Sequence, residues 1–176
     1  NTSNNSIGIE HWYSGPNGFI SNSYVIQNII SKSNTYGLKL GYSDNGTIFH
    51  SRFENNNIGI SFTNQTGIDF FYDNFFNNSL NINISTMRNN TWNTSLQLGT
   101  NILGGQYISG NFWAYPNGSG VSQTCNDANA NGICDNYYNI SSNNIDWLPL
   151  TNSVINYNVS WSSRPSATIV TEYALP

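Results

Sequence analysis

The sequence predicts an all-β chain folded as a right-handed parallel β-helix, on three observations. One motif recurs four times, short alternating apolar–polar runs separate Asn-rich turns, and no window has helical periodicity. The motif reads Asn4-Asn5-Ser6-Ile7-Gly8-Ile9, Asn34-Thr35-Tyr36-Gly37-Leu38, Asn55-Asn56-Asn57-Ile58-Gly59-Ile60 and Asn77-Asn78-Ser79-Leu80-Asn81-Ile82. Gly37 to Gly59 is 22 residues, and Gly59 to its counterpart Asn81 is another 22. Gly8 to Gly37 is 29, one coil with an insertion near Ser14-Gly15-Pro16-Asn17-Gly18. A fixed period in this range means stacked units that bury their apolar faces only against neighbours.

Taken in order, the first coil is expected to start in the Asn1–Ser6 turn without a cap of its own, as in the C-terminal piece of a longer protein or a subunit whose edge another subunit covers. The second runs Gly37-Leu38-Lys39-Leu40, the turn Ser43-Asp44-Asn45-Gly46, then Thr47-Ile48-Phe49-His50-Ser51-Arg52-Phe53. The third runs Gly59-Ile60-Ser61-Phe62, the turn Asn64-Gln65-Thr66-Gly67, then Ile68-Asp69-Phe70-Phe71. Such alternation is that of half-buried strands, and Asn suits the turns because it tolerates left-handed backbone. The Gly–Ile/Leu step marks a bend where a side chain would crowd the next coil. Asn55, Asn56, Asn77 and Asn78 are candidates for amide ladders along the stack, or else for solvated turns. The expected organisation is four to five coils of about 22 residues in 1–115, a closing module in 116–150 and a strand tail in 151–176. In the tail, Val154–Trp161 and Ala167–Leu175 read as strands that could join a neighbour's sheet, fold back on this domain or form a stalk.

Charged residues are only 8% of the chain while aromatics are 14%, which excludes disorder and leaves a surface of Asn, Ser and Thr. With five basic residues and net charge -4, no stripe exists to neutralise nucleic-acid phosphates. No apolar run is long enough for a spanning helix. A neutral polar surface suits a harsh medium or a surface that carries sugar. Sequons start at Asn1, Asn4, Asn45, Asn64, Asn77, Asn83, Asn89, Asn93, Asn117, Asn139 and Asn158. All but Asn77, a ladder candidate expected to stay bare, are taken as acceptors of N-linked glycans. Cys125 and Cys134 lie in one loop and read as a disulfide, as in a secreted chain. A zinc site would need ligands that no second Cys pair or nearby His supplies.

One segment carries metal chemistry. Asp127-Ala128-Asn129-Ala130-Asn131-Gly132-Ile133-Cys134-Asp135 places oxygen ligands at alternate positions and Gly sixth, the opening of a calcium loop. Its ligands would be the side chains of Asp127, Asn129, Asn131 and Asp135 and the Ile133 carbonyl. Position twelve is Tyr138, so Asp146 or water would complete the shell; the alternative is a metal-free Asx-rich turn. Catalytic residues are not assigned. Asp69 and Asp73 are the closest carboxylate pair in the coils, but Asp73 falls at a turn position, matching Ser51 one coil earlier. Trp12 and Tyr13, beside Glu10 and His11, are candidates for stacking on sugar rings. His11, His50 and Met87 are lone ligands on different coils and make no copper set.

Phe53-x-Asn55-Asn56-x-x-Gly59-Ile60 resembles the repeats of NosD-like parallel β-helix proteins of the carbohydrate-binding and sugar-hydrolase class. Gly110-Asn111-Phe112-Trp113, the Asp127–Asp135 loop and Asn143-Asn144-Ile145-Asp146-Trp147-Leu148-Pro149-Leu150 resemble the closing module of such proteins on archaeal cell surfaces. Ser109 replaces a Gly of that pattern, Phe112 a Tyr, and Asn131 an Asp, which removes one calcium carboxylate. The resemblance, over residues 4 to 150, implies an extracellular scaffold; copper delivery does not carry over. The expected function is a secreted or cell-surface structural glycoprotein, not an enzyme, that self-associates end to end into a filament or layer. The alternative is a carbohydrate-binding or adhesive module of a larger surface protein.

Overall fold

A computed structural model describes residues 1–12 and 23–152 of the chain. Tyr13, the insertion near Gly15 and the two tail strands with the Asn158 sequon lie outside the described residues.

The alternating runs form short strands: β1 (Thr2–Ser3), β2 (Ile7–Trp12), β3 (Tyr24–Gln27), β4 (Ile30–Lys32), β5 (Tyr36–Gly41), β6 (Gly46–Phe49) and β7 (Arg52–Glu54). They continue through β8 (Ile58–Thr63), β9 (Phe70–Tyr72), β10 (Phe75–Asn77) and β11 (Leu80–Asn83). From β1 to β8 each strand pairs in parallel with the strand three places on, and β9 ends its sheet, giving three sheets: β1-β4-β7-β10, β2-β5-β8-β11 and β3-β6-β9. Register steps are 29 residues where Thr2 meets Ser31, 22 where Ile30 meets Arg52, and 23 where Arg52 meets Phe75. The parallel stacking expected from the repeat is therefore present, and it is built on three sheets.

After β11 the regularity breaks. An antiparallel pair, β12 (Gln97–Leu98) and β13 (Tyr107–Ile108), fills an excursion before β14 (Phe112–Ala114) rejoins the first sheet beside β10, with Phe75 opposite Phe112. A single helical turn, α1 (Val121–Thr124), and a hairpin, β15 (Tyr138–Ser141) with β16 (Asn144–Asp146), follow.

Inside the coils Leu38, Leu40, Ile48, Ile60 and Phe62 are buried, and aromatic rings run along the axis. Phe53 stacks on Phe76 at 5.5 Å, Phe76 on Trp113 at 4.6 Å, and Trp113 meets Tyr138 at 5.1 Å. Phe71 stacks on Trp92 at 4.4 Å. The rings thus grow toward the C-terminal end and fill the tube there, each adding large apolar burial.

The glycine of the repeat has the expected cause. A Cβ on Gly59 would come within 2.6 Å of the Asn81 carbonyl and 2.7 Å of Asn78 Nδ2; one on Gly37 would meet the Gly59 carbonyl at 2.6 Å. All three distances are below contact, so only glycine lets the coils close at these two positions.

Candidate functional site

At three corners of the solenoid, a polar side chain in one coil accepts the backbone N–H of the coil before it. In the first column Asn34, Asn56 and Asn78 are buried; Asn34 N–H donates to Asn56 Oδ1 at 2.9 Å and Asn56 N–H to Asn78 Oδ1 at 3.0 Å. The side-chain amides repeat the link, Asn56 Nδ2 donating to Asn78 Oδ1 at 2.9 Å. Asn81 ends the column, its Oδ1 accepting Asn78 N–H at 2.9 Å and its Nδ2 donating to the Ala114 carbonyl at 2.8 Å. In the second, Ser51 N–H donates to Asn74, Asn74 N–H to Asn111, and Asn111 N–H to Asp146 Oδ2 at 2.7 Å. In the third, Gly46 N–H donates to Asp69 Oδ1, Asp69 N–H to Asn90, and Asn90 N–H to Asn144 Oδ1 at 2.8 Å.

Asn56 and Asn78 are therefore ladder members as expected, whereas Asn55 is exposed at φ 57° and Asn77 is half-buried in β10. Asn74, Asn111, Asn144 and Asp146 were not anticipated as rungs. The 23-residue step from Ser51 to Asn74 was the available signal; the 37-residue step to Asn111 hides the rest. The β15–β16 hairpin thus supplies the last rung of two columns at once.

Asp146 is fully buried and its oxygens accept Asn111 N–H, Asn111 Nδ2 at 3.3 Å, Trp113 Nε1 at 2.8 Å and Leu148 N–H at 3.1 Å. Burial pushes its pKa up to about 7 against these donors. Occupied in this way, Asp146 is part of the plug, not of the calcium loop for which the sequence offered it.

The Asp127–Asp135 loop is folded on its own side chains. Asp127 accepts Asn131 N–H at 3.1 Å and Gly132 N–H at 2.8 Å; Asn131 Oδ1 accepts Ile133 N–H at 2.9 Å. Asn129 Oδ1 accepts Asn131 N–H at 3.2 Å, and Asp135 accepts Asn126 Nδ2 at 2.6 Å and Ala128 N–H at 3.1 Å. Gly132 sits at φ 85°, the left-handed turn expected of the sixth position. Cys125 and Cys134 are disulfide-bonded; Cys134 N–H donates to the Pro149 carbonyl and Thr151 N–H to the Gly132 carbonyl, tying the loop to residues 149–151.

The coil carboxylates are separately engaged. Asp69 accepts Gly46 N–H at 2.8 Å and Gln65 Nε2 at 3.0 Å. Asp73 lies over His50, not over Ser51 as the spacing suggested; the step here is 23 residues, so Asn74 takes the Ser51 position. Asp73 bonds His50 Nδ1 at 2.6 Å and accepts Ile102 N–H at 2.7 Å, and both it and His50 have positive φ. Burial raises the pKa of both carboxyls.

On the outside, Trp12 is 46% exposed, edge-on to Tyr42 at 5.6 Å, while Glu10 pairs with Lys39 at 3.6 Å; His11, in register with the buried Leu40, stacks on Tyr24 over the core at 4.0 Å. The sequon residues Asn1, Asn4, Asn45, Asn64, Asn89, Asn117 and Asn139 are exposed; Asn83 and Asn93 are half-buried. Asn93 has its amide engaged at both ends, to the Thr94 carbonyl at 3.1 Å and from Trp147 N–H at 3.3 Å.

Residues 1–118 match a family model described as periplasmic copper-binding protein (NosD). No curated protein and no solved structure matches the chain. The donors do not fit copper: His11 is stacked on Tyr24, His50 is bonded to Asp73, and Met87 packs against the core. Among the described residues no three of His, Cys, Asp and Glu gather.

Proposed function

The chain belongs to the NosD family, and from that premise we propose that it is an extracellular structural glycoprotein whose right-handed coils, four to five in number, assemble end to end into a surface filament or layer. The observation that supports this is the difference between the ends. One end is filled by Trp92, Trp113 and Tyr138 and its ladders are terminated by Asn81, Asn144 and Asp146. At the other, β1, β2 and β3 are the outer strands of their sheets, and Ile9, Tyr24, Ile26 and Ile29 are only half-buried over the core. Among the described residues no strand pairs with these outer edges, and parallel edges over a half-covered core invite another strand at each sheet. A second copy is assigned that place; a preceding coil of the same chain would fill it equally, and sedimentation separates the two. Natively purified protein is expected to form concentration-dependent oligomers, and Ile7→Lys at the open edge to hold it monomeric. A monomer at all concentrations would refute the assembly.

The family description places its members in the periplasm, and no helix among the described residues is long and apolar enough to cross a membrane. The proposal includes N-linked glycans on the exposed sequons and calcium on Asp127, Asn129, Asn131, Asp135 and the Ile133 carbonyl. The left-handed Gly132 and the inward Asx oxygens support the latter. A catalytic role is not proposed. Lack of turnover of neutral and acidic polysaccharides would agree with this, and activity abolished by Asp73→Asn would refute it.

A further inference from the structure

We infer that a trough on the outer face of the β3-β6-β9 sheet binds an uncharged glycan chain built of pyranose rings. In this sheet, register puts Phe70 beside Thr47, and a bridge puts Thr91 beside Phe70. Two residues along, Phe49 and Tyr72 stack at 5.1 Å with their planes 7° apart. A hollow of about 460 Å³ is lined by Thr47, Phe70, Tyr72, Thr91 and Asn93. A second, of about 370 Å³, shares Thr91 and Asn93 and continues to Asn143 and Trp147. The two make one trough that runs from the third sheet onto the plug hairpin.

Its chemistry is specific. Phe70 is 41% and Trp147 58% exposed, so two large apolar faces meet water at the ends of the trough. Between them lie the hydroxyls of Thr47, Tyr72 and Thr91 and the exposed amides of Asn89 and Asn143, which donate and accept in turn, with Ile145 adding apolar surface. Not one lining residue of either hollow is charged. A pyranose ring has an apolar C–H face for the aromatic and a rim of hydroxyls for the amides. Uronate, sulfate or phosphate groups would be desolvated here without a cation to offset the cost. A peptide strand would need a free sheet edge, whereas the trough offers a sheet face. The rise of one coil, about 4.8 Å, is near the length of one sugar residue, so rings can follow the stack. The trough is on the flank, away from the open β1–β3 edges, so the inference is independent of end-to-end assembly.

The test is calorimetric titration with cellohexaose, mannohexaose, maltohexaose and, as the charged control, hexagalacturonate. All measurements use Asn89→Gln protein, since Asn89 lies at the rim of the trough and an attached glycan there could fill it. At least one neutral hexasaccharide is expected to bind and hexagalacturonate to be excluded. Phe70→Ala and Trp147→Ala should each weaken binding about tenfold or more, while Leu80→Ala, at an exposed position on the β2-β5-β8-β11 sheet, leaves it unchanged. Both lost side chains are exposed, and an unchanged circular dichroism spectrum verifies the fold. Failure of every neutral probe, equal binding of the uronate, or binding insensitive to Phe70→Ala and Trp147→Ala would overturn the assignment.

Discussion

Asn78 is fully buried at the centre of the first amide column, and Asn78→Ala is the sharpest probe of whether that column holds the coils together. Its Oδ1 accepts Asn56 N–H at 3.0 Å and Asn56 Nδ2 at 2.9 Å; its Nδ2 donates to the Phe53 carbonyl at 2.8 Å and to Asn81 Oδ1 at 3.1 Å. Asn56 Nδ2 retains the Ser31 carbonyl at 3.0 Å, so its loss is partial. Asn56 N–H is left buried without this acceptor, at about 1–3 kcal/mol. The Phe53 link and the vacated volume add about 1–2 kcal/mol. The expected total is about 2–5 kcal/mol, a large share of the roughly 5–15 kcal/mol that stabilises a domain. Neighbouring Asn55→Ala, at an exposed left-handed position, should cost only about 1–2 kcal/mol. Urea unfolding followed by tryptophan fluorescence measures both, and Asn56→Ala/Asn78→Ala should cost less than the sum of the single changes because they share bonds. Equal, small losses for Asn78→Ala and Asn55→Ala would refute the column as a source of stability.

Other outcomes follow from the plug and its loop. Asp146 is raised by burial to about 7, so the native state holds a proton that the unfolded chain has released between about pH 4 and 7. This contribution to stability is complete below about pH 4 and is lost as pH rises through 7; urea midpoints should fall over that window, and the fall should shrink in Asp146→Asn. Calcium at about 10 mM should raise stability by about 1.4–2.7 kcal/mol if the loop binds at about 10⁻⁴–10⁻³ M. That rise should disappear with EDTA and in Asp127→Ala, and no rise would remove calcium from the account. Opening the Cys125–Cys134 loop by Cys125→Ser/Cys134→Ser should cost roughly 2.5–3 kcal/mol, read as a lower Tm.

Much of this fold was legible because a repeat writes the same physics several times. The glycines at 37 and 59 and the buried Asn56 and Asn78 recur at a fixed step, so sequence alone placed them at crowded corners. What escaped was whatever occurs once. Asn111, Asn144 and Asp146 act as rungs only because a 37-residue coil and a hairpin return them to columns begun far upstream. Asp73 was misplaced by one position because one coil carries 23 residues rather than 22. The outer trough was also out of reach, since Phe70 and Trp147 are brought to one face by long-range packing. The aromatic face suggested at Trp12 does have an exposed ring, but its partner in space is Tyr42.

The central proposal is that the solenoid, whose β1–β3 edges have no strand partner among the described residues, continues through further copies of itself. Electron microscopy of untreated, natively purified material tests this most directly. Filaments or sheets with a regular axial repeat, subunits stacked through the β1–β3 end, are the predicted result. Dispersed single particles under the same conditions would contradict it.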